Sequence, residues 1–162
     1  ANPLHGCRRV PLGAIEYVAV ATPRFVKSRL GEGISRESIS NATQIVFDRK
    51  DLLPQQWLLN AFGEPAPLAG HWMPSYSGYM ACLLNGAGWG MMPRFSVEGH
   101  VEDGSLVELV PGTSVIVPLY WQSSGPGSEI MKLLSAVVVD VARRHLISTP
   151  EENFKRSASS AG

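Results

Sequence analysis

The stretch His71–Arg94, HWMPSYSGYMACLLNGAGWGMMPR, constrains this chain more than any other. It reads as a short strand, a Pro74-Ser75 turn, a helix of small residues, a Gly-rich stop over Gly86–Gly90, a second strand and a closing Pro93. A strand–helix–strand unit of this kind turns a helix N-terminus, with its unpaired backbone N–H groups, toward whatever lies above the sheet edge. Alone it is only a βαβ unit, so its meaning depends on its neighbours.

On its N-terminal side, Ile15–Ala21 (IEYVAVA) is β-branched, aromatic and almost continuously apolar. That pattern predicts a strand buried on both faces, as in a parallel α/β sheet. Arg8, Val10 and Leu12 suggest an edge strand before it. Thr22-Pro23 suits a helix start, and Gly31 and Gly33 end that helix. Ser35 or Ser40 can open short helical turns around Arg36–Ile39. Thr43–Asp48 is a second strand, running into the charged cluster Asp48-Arg49-Lys50-Asp51. Leu52–Phe62 has helical spacing of Leu53, Trp57, Leu58 and Phe62, with Pro54 in the first turn.

Beyond Arg94, a short helix over Arg94–Gly99 and a short strand over Leu106–Leu109 are expected. Ser114–Trp121 (SVIVPLYW) is a long strand whose Pro118 argues for an edge, a bulge or a crossing point. Ser128–Leu146 is a helix with Ile130, Leu133, Leu134, Val137, Val138 and Val141 on one face. Strands alternating with helices define an α/β fold. The strands at Ile15–Ala21 and Ser114–Trp121 flank everything between them, which predicts a two-lobe chain with two crossing strands as its hinge. The expected division is 1–22 for the end of lobe I and the first crossing strand, then 23–113 for lobe II. Residues 114–147 would return to lobe I and add its C-terminal helix, leaving 148–162 as a flexible tail.

Composition narrows the function. Fourteen Lys and Arg balance fourteen Asp and Glu, so this piece has no basic excess with which to grip nucleic acid by itself. Cys7 and Cys82 are the two cysteines, too few and too far apart for a disulfide framework, which favours a reducing, cytoplasmic setting. No apolar run approaches the ~20 residues that span a bilayer. ANPLHGCRR has no signal-peptide core and no initiating Met, so the chain is expected to begin inside a longer protein. An enzyme is a poor reading: His5, His71, His100 and His145 lack metal-ligand spacing, and no G-x-S-x-G elbow occurs. Gly86, Gly88 and Gly90 lack a Walker lysine and do not form GxGxxG after a strand, so a helix stop and close strand packing explain them. No cofactor is expected.

PLGAIEYVAVATPRF, the FDRKD cluster at 47–51, the His71–Arg94 stretch and GSLVELVPGTSVIVPLYWQ together resemble the effector-binding region of LysR-type transcriptional regulators. FDRKD and VPLYWQ are similar to the ArgP-like (IciA-like) branch in particular. The resemblance runs from about Pro11 to the C-terminal helix. It implies a type II periplasmic-binding-protein-like effector domain of two lobes with lobe I incomplete in this chain, and no enzymatic activity. It further implies a lysine or arginine effector, control of basic-amino-acid export, a homo-oligomer (dimer or tetramer), and DNA contact only through a helix-turn-helix outside this chain. An exposed lobe I sheet edge, or strand exchange between copies, follows from such a truncation. The alternative reading is an extracytoplasmic solute-binding protein of the same two-lobe plan.

In open α/β sheets, ligands bind beyond the carboxyl ends of strands. The chemistry of a free basic amino acid, combined with the resemblance, selects three segments. Ser75, Tyr76 and Ser77 offer hydroxyls and free N–H groups for an α-carboxylate. Asp48 or Asp51, with Arg49 beside them, can face the cationic end. Tyr120 and Trp121 end the returning strand, and Tyr76 or Trp121 can cover the cationic end by cation–π contact. Each has a structural reading too. Ser75 and Ser77 can cap a helix, Asp48 and Asp51 can belong to a solvated loop or a cap, and Trp121 can pack on the C-terminal helix. Trp57 and Trp89 read as core.

Overall fold

A computed structural model describes residues 7–31, 33–124 and 128–148. The tail expected over 148–162 lies, from Thr149 on, outside the described residues. The chain forms two compact units. One contains residues up to Ile15 together with those from Ile116 onward, and the other runs from Glu16 to Val115. The backbone passes between units twice, inside the strands β1 (Cys7–Ala21) and β6 (Val115–Ser124).

The central unit is built on the second half of β1. Its neighbours are β4 (Gly90–Pro93), with Tyr17 opposite Pro93 and Val20 opposite Gly90, and β5 (Val107–Glu108). Both pair antiparallel to β1, which corrects the expectation of a parallel sheet here. Apolar continuity reports burial on both faces, and β1 is buried at Val18, Ala19, Val20 and Ala21, but it is silent about the direction of neighbours. The parallel pairing lies elsewhere, between β2 (Gln44–Val46) and β3 (Gly70–Trp72). Ile45 N–H also donates to Trp89 O at 2.8 Å, and Trp89 N–H to Thr43 O at 3.1 Å. The chain from β3 through α4 (Tyr76–Leu84) to β4 therefore straddles β2 instead of placing its two strands side by side.

Local sequence explains the helix boundaries. Thr22 accepts from Phe25 N–H, with Pro23 at the first position of α1 (Pro23–Phe25), which continues as a π-helical turn over Val26–Leu30. Ser35 and Ser38 form a capping box on α2 (Arg36–Asn41). α3 (Leu53–Phe62) has Pro54 in its first turn and stops at Gly63, φ 77°. α5 (Arg94–Glu102) runs three residues past the expected Gly99.

Buried Val18, Val20, Ile45, Tyr79, Leu83, Met92, Val97 and Leu106 form the core of this unit. Trp57 and Trp89, each at most 1% exposed, meet with ring centroids 5.2 Å apart. Close packing explains two of the glycines. A Cβ on Gly88 would lie 2.7 Å from Thr43 O, and one on Gly90 would overlap the Tyr79 hydroxyl. Gly90→Ala is expected to destabilise by about 1–3 kcal/mol, since the obstructing ring is itself locked in the core. Thermal unfolding checks this; an unchanged midpoint would mean that Tyr79 moves freely.

In the other unit, β6 pairs with β1, and Pro118 falls within it. Ala14 and Ile147 exchange backbone hydrogen bonds of 2.9 and 3.1 Å. Gly13, at φ 119°, fits there because a Cβ would meet Ile147 O at 2.8 Å. α6 (Glu129–His145) is capped by Ser128, which accepts from Met131 N–H. Its apolar stripe is exposed within this chain: Ile130 at 78%, Leu133 at 69%, with Leu134, Val137 and Val141 also open.

Candidate functional site

The central unit contains a cavity of about 330 Å³, at the small end of ligand-sized pockets. Three backbone segments shape it. The turn after β2 contributes Phe47, Asp48, Lys50 and Asp51, followed by Leu53 at the start of α3. The start of α4 contributes Tyr76 and, one turn on, Tyr79. The paired strands β1 and β4 supply Tyr17, Met91, Met92 and Pro93 as the remaining wall. The lining is thus mainly aromatic and thioether surface, with two carboxylates and one ammonium among it.

Each carboxylate is half engaged. Asp51 accepts Leu53 N–H through Oδ1 at 2.9 Å, and Asp48 accepts Lys50 N–H through Oδ1 at 3.0 Å. No second hydrogen bond ties either side chain among the described residues. Asp48 is exposed, whereas Asp51 is half-buried. Burial pushes the Asp51 carboxyl above its ordinary value, Leu53 N–H partly offsets this, and the nearby Asp48 charge adds to the rise. Tyr79, 3% exposed, donates to Met91 O at 3.3 Å, and its phenol is pushed far up by burial.

Of the residues selected from the sequence, Asp48, Asp51 and Tyr76 meet at this cavity. Ser75 caps α4 by accepting Gly78 N–H at 3.3 Å, and its hydroxyl lies 3.2 Å from that of Ser77. Neither serine lines the cavity. Arg49 stacks over Trp72 at 5.0 Å from the ring centroid, outside it. Tyr120 and Trp121 belong to the other unit. There the Arg9 guanidinium lies 3.3 Å from the Tyr120 ring centroid, and Trp121 Nε1–H donates to Ser135 Oγ on α6 at 3.0 Å. Phe47, Lys50 and Leu53 escaped selection although they sit within or beside the singled-out FDRKD cluster. Tyr17, Tyr79, Met91 and Met92 had no sequence signal beyond strand and helix patterning.

Behind the β1–β4 wall is an ion triad. Arg94 follows Pro93, and Glu16 precedes Tyr17. Arg94 Nε bonds Glu16 Oε2 at 2.8 Å, while its two terminal nitrogens grip Glu108 as a fork. Arg94 holds the Glu16 carboxyl below its ordinary value. A depressed acid stabilises the fold above its unfolded pKa and loses that contribution as pH falls through the folded one. Arg94→Ala is therefore expected to cost about 1–2 kcal/mol near pH 7, discounted for the guanidinium's partial exposure. The cost should shrink as pH falls through the lowered Glu16 pKa. Denaturant unfolding at neutral and acid pH checks it, and a pH-independent cost would contradict the ionic origin.

A mixed α/β chain whose two crossing strands join two units, with a pocket of this make-up, has the type II periplasmic-binding-protein-like architecture of an effector-binding domain. The LysR substrate binding domain family matches residues 2–143, and the chain belongs to that family. The transcriptional regulator ArgP of Pseudomonas aeruginosa is 34% identical over 135 residues, 83% of this chain and 45% of that protein. The C-terminal domains of a LysR family protein from Agrobacterium tumefaciens superpose with a TM-score of 0.87 at 37% identity, covering 91% of this chain and 72% of that one. Full-length LysG from Corynebacterium glutamicum with bound effector Arg gives 0.78 at 27% identity, covering 91% and 50%. The chain spans about half the length of the curated relatives it matches. These homologues are transcriptional regulators, not enzymes.

Proposed function

We propose that this chain is the effector-sensing region of a LysR-type transcriptional regulator, and that its effector is a free basic amino acid, lysine or arginine. One observation carries the reading: Asp51 stands half-buried in an aromatic-walled cavity, with Asp48 at its edge. A desolvated carboxylate attracts a cation more strongly than an exposed one, and the surrounding rings of Tyr76 and Phe47 favour a cation over bulk water. The arginine bound by LysG of Corynebacterium glutamicum, a fold neighbour, supports the same class of ligand.

On this reading the ligand shifts an equilibrium between arrangements of the two units only insofar as it binds one arrangement better. The output would be control of basic-amino-acid export by a homo-oligomer that contacts DNA through a helix-turn-helix elsewhere in the protein. The exposed apolar stripe of α6 is accounted for as the surface on which the rest of lobe I and a second subunit pack. Calorimetric titration of the full-length protein with lysine, arginine and the uncharged arginine isostere citrulline tests the ligand class. Basic amino acids should bind at least about tenfold tighter; equal or absent binding of all three would refute the assignment.

A further inference from the structure

The reading above leaves one wall of the pocket without a role. Tyr17 lies on β1 directly opposite Pro93, and its side chain lines the cavity together with Asp51. It is half-buried, and its hydroxyl makes no hydrogen bond within the described residues. Tyr79, which reaches the cavity from α4, differs in both respects, being buried with its hydroxyl committed to Met91 O. Burial first, and the negative charge of Asp51 second, keep the Tyr17 phenol protonated. Both side chains line the same cavity, and Asp51 commits one oxygen to Leu53 N–H.

A hydroxyl that supports no contact in the fold, placed beside a carboxylate with acceptor capacity to spare, has the chemistry of a ligand contact. We propose that Tyr17 is a specificity-determining residue of this pocket. Its hydroxyl oxygen accepts from the ligand's cationic group, and Asp51 takes the remaining donors. Building on the basic-ligand reading, this assigns recognition of the cation to a pair, one member of which arrives on the strand that crosses between units. A guanidinium presents several N–H donors in a plane, more than a single carboxylate oxygen can satisfy. Tyr17 supplies the missing acceptor, and its ring excludes water from the pair.

The test is calorimetric titration of the full-length protein with arginine and with citrulline, in the wild type, Tyr17→Phe and Tyr17→Leu. Tyr17→Phe keeps the ring and removes only the oxygen. It should weaken arginine about tenfold and citrulline less than about threefold, with an unchanged unfolding midpoint because no internal hydrogen bond is lost. Tyr17→Leu removes the ring as well and should weaken arginine further, by about thirtyfold in all. Arginine binding unchanged in Tyr17→Phe would overturn the proposal, as would equal losses for both ligands or a lowered midpoint. If the wild type itself fails to prefer arginine, the basic-ligand reading falls and this pair with it. A preserved wild-type preference that ignores Tyr17 sinks the pair alone.

Discussion

Asp51→Asn should cost the full-length protein about thirty- to a hundredfold in arginine affinity while leaving citrulline within about threefold. The substitution is chosen to spare the fold. An asparagine side-chain oxygen can still accept Leu53 N–H, the bond that Asp51 makes at the start of α3. What disappears is the charge, in a half-buried position where the effective dielectric is well below that of water. Asp48→Asn should cost less, about threefold, because Asp48 is exposed and its field is screened. The pH dependence separates the two further. In the free protein the Asp51 proton is held above the ordinary aspartate range, chiefly by burial, and a bound cation favours the ionised form. On the basic-ligand reading, arginine affinity should therefore be complete above that raised pKa and fall as pH drops through it. The Asp51→Asn protein should show a flatter profile over the same interval. Parallel losses for arginine and citrulline would instead indicate a deformed pocket.

Much of the local structure was legible because it depends on near neighbours in sequence. Thr22, Ser35 and Ser75 cap the helices they precede, and Gly63 and Gly86 stop the helices they follow through positive φ. Trp57 and Trp89 were legible as core from their apolar context. The Asp48–Asp51 cluster and Tyr76 were legible as candidates because charge and helix-start chemistry stand out in a chain otherwise poor in both. Strand direction was not legible. IEYVAVA announces burial, but the antiparallel partners at Gly90–Pro93 and Val107–Glu108 lie far along the chain. Nor was the pocket's β wall. Tyr17, Met91 and Met92 each look like an ordinary strand residue, and only the Tyr17–Pro93 register brings them to one cavity. Ser75 caps α4 with the Ser77 hydroxyl beside it, the structural role that the sequence offered alongside anion contact.

Trp57→Ala is the substitution expected to damage the fold most. The indole is 1% exposed, packs edge-on against Phe62 at 5.8 Å and against Trp89 at 5.2 Å, and donates to Thr113 Oγ1 at 3.0 Å. Truncation removes the ring's contacts and leaves a cavity lined by two aromatics that cannot collapse into it, a loss of about 3–5 kcal/mol. Against a total stability of about 5–15 kcal/mol, that shifts the unfolding midpoint by on the order of 15 °C. Trp57→Phe should lose only about 1–2 kcal/mol. It keeps most of the ring, and Thr113 stays bonded through its own donation to Val110 O at 2.6 Å. The effect should also reach the pocket. Trp57 and Leu58 are the buried side chains in the middle of α3, whose first turn carries Leu53 at the cavity and donates Leu53 N–H to Asp51 Oδ1. Below the unfolding transition, Trp57→Ala should therefore weaken arginine and citrulline alike, by severalfold, because it loosens the helix that positions both the apolar wall and the carboxylate. A loss confined to arginine would mean that α3 does not transmit the defect and that Asp51 is held by its own turn alone. Thermal unfolding and paired titrations on the same protein distinguish these results.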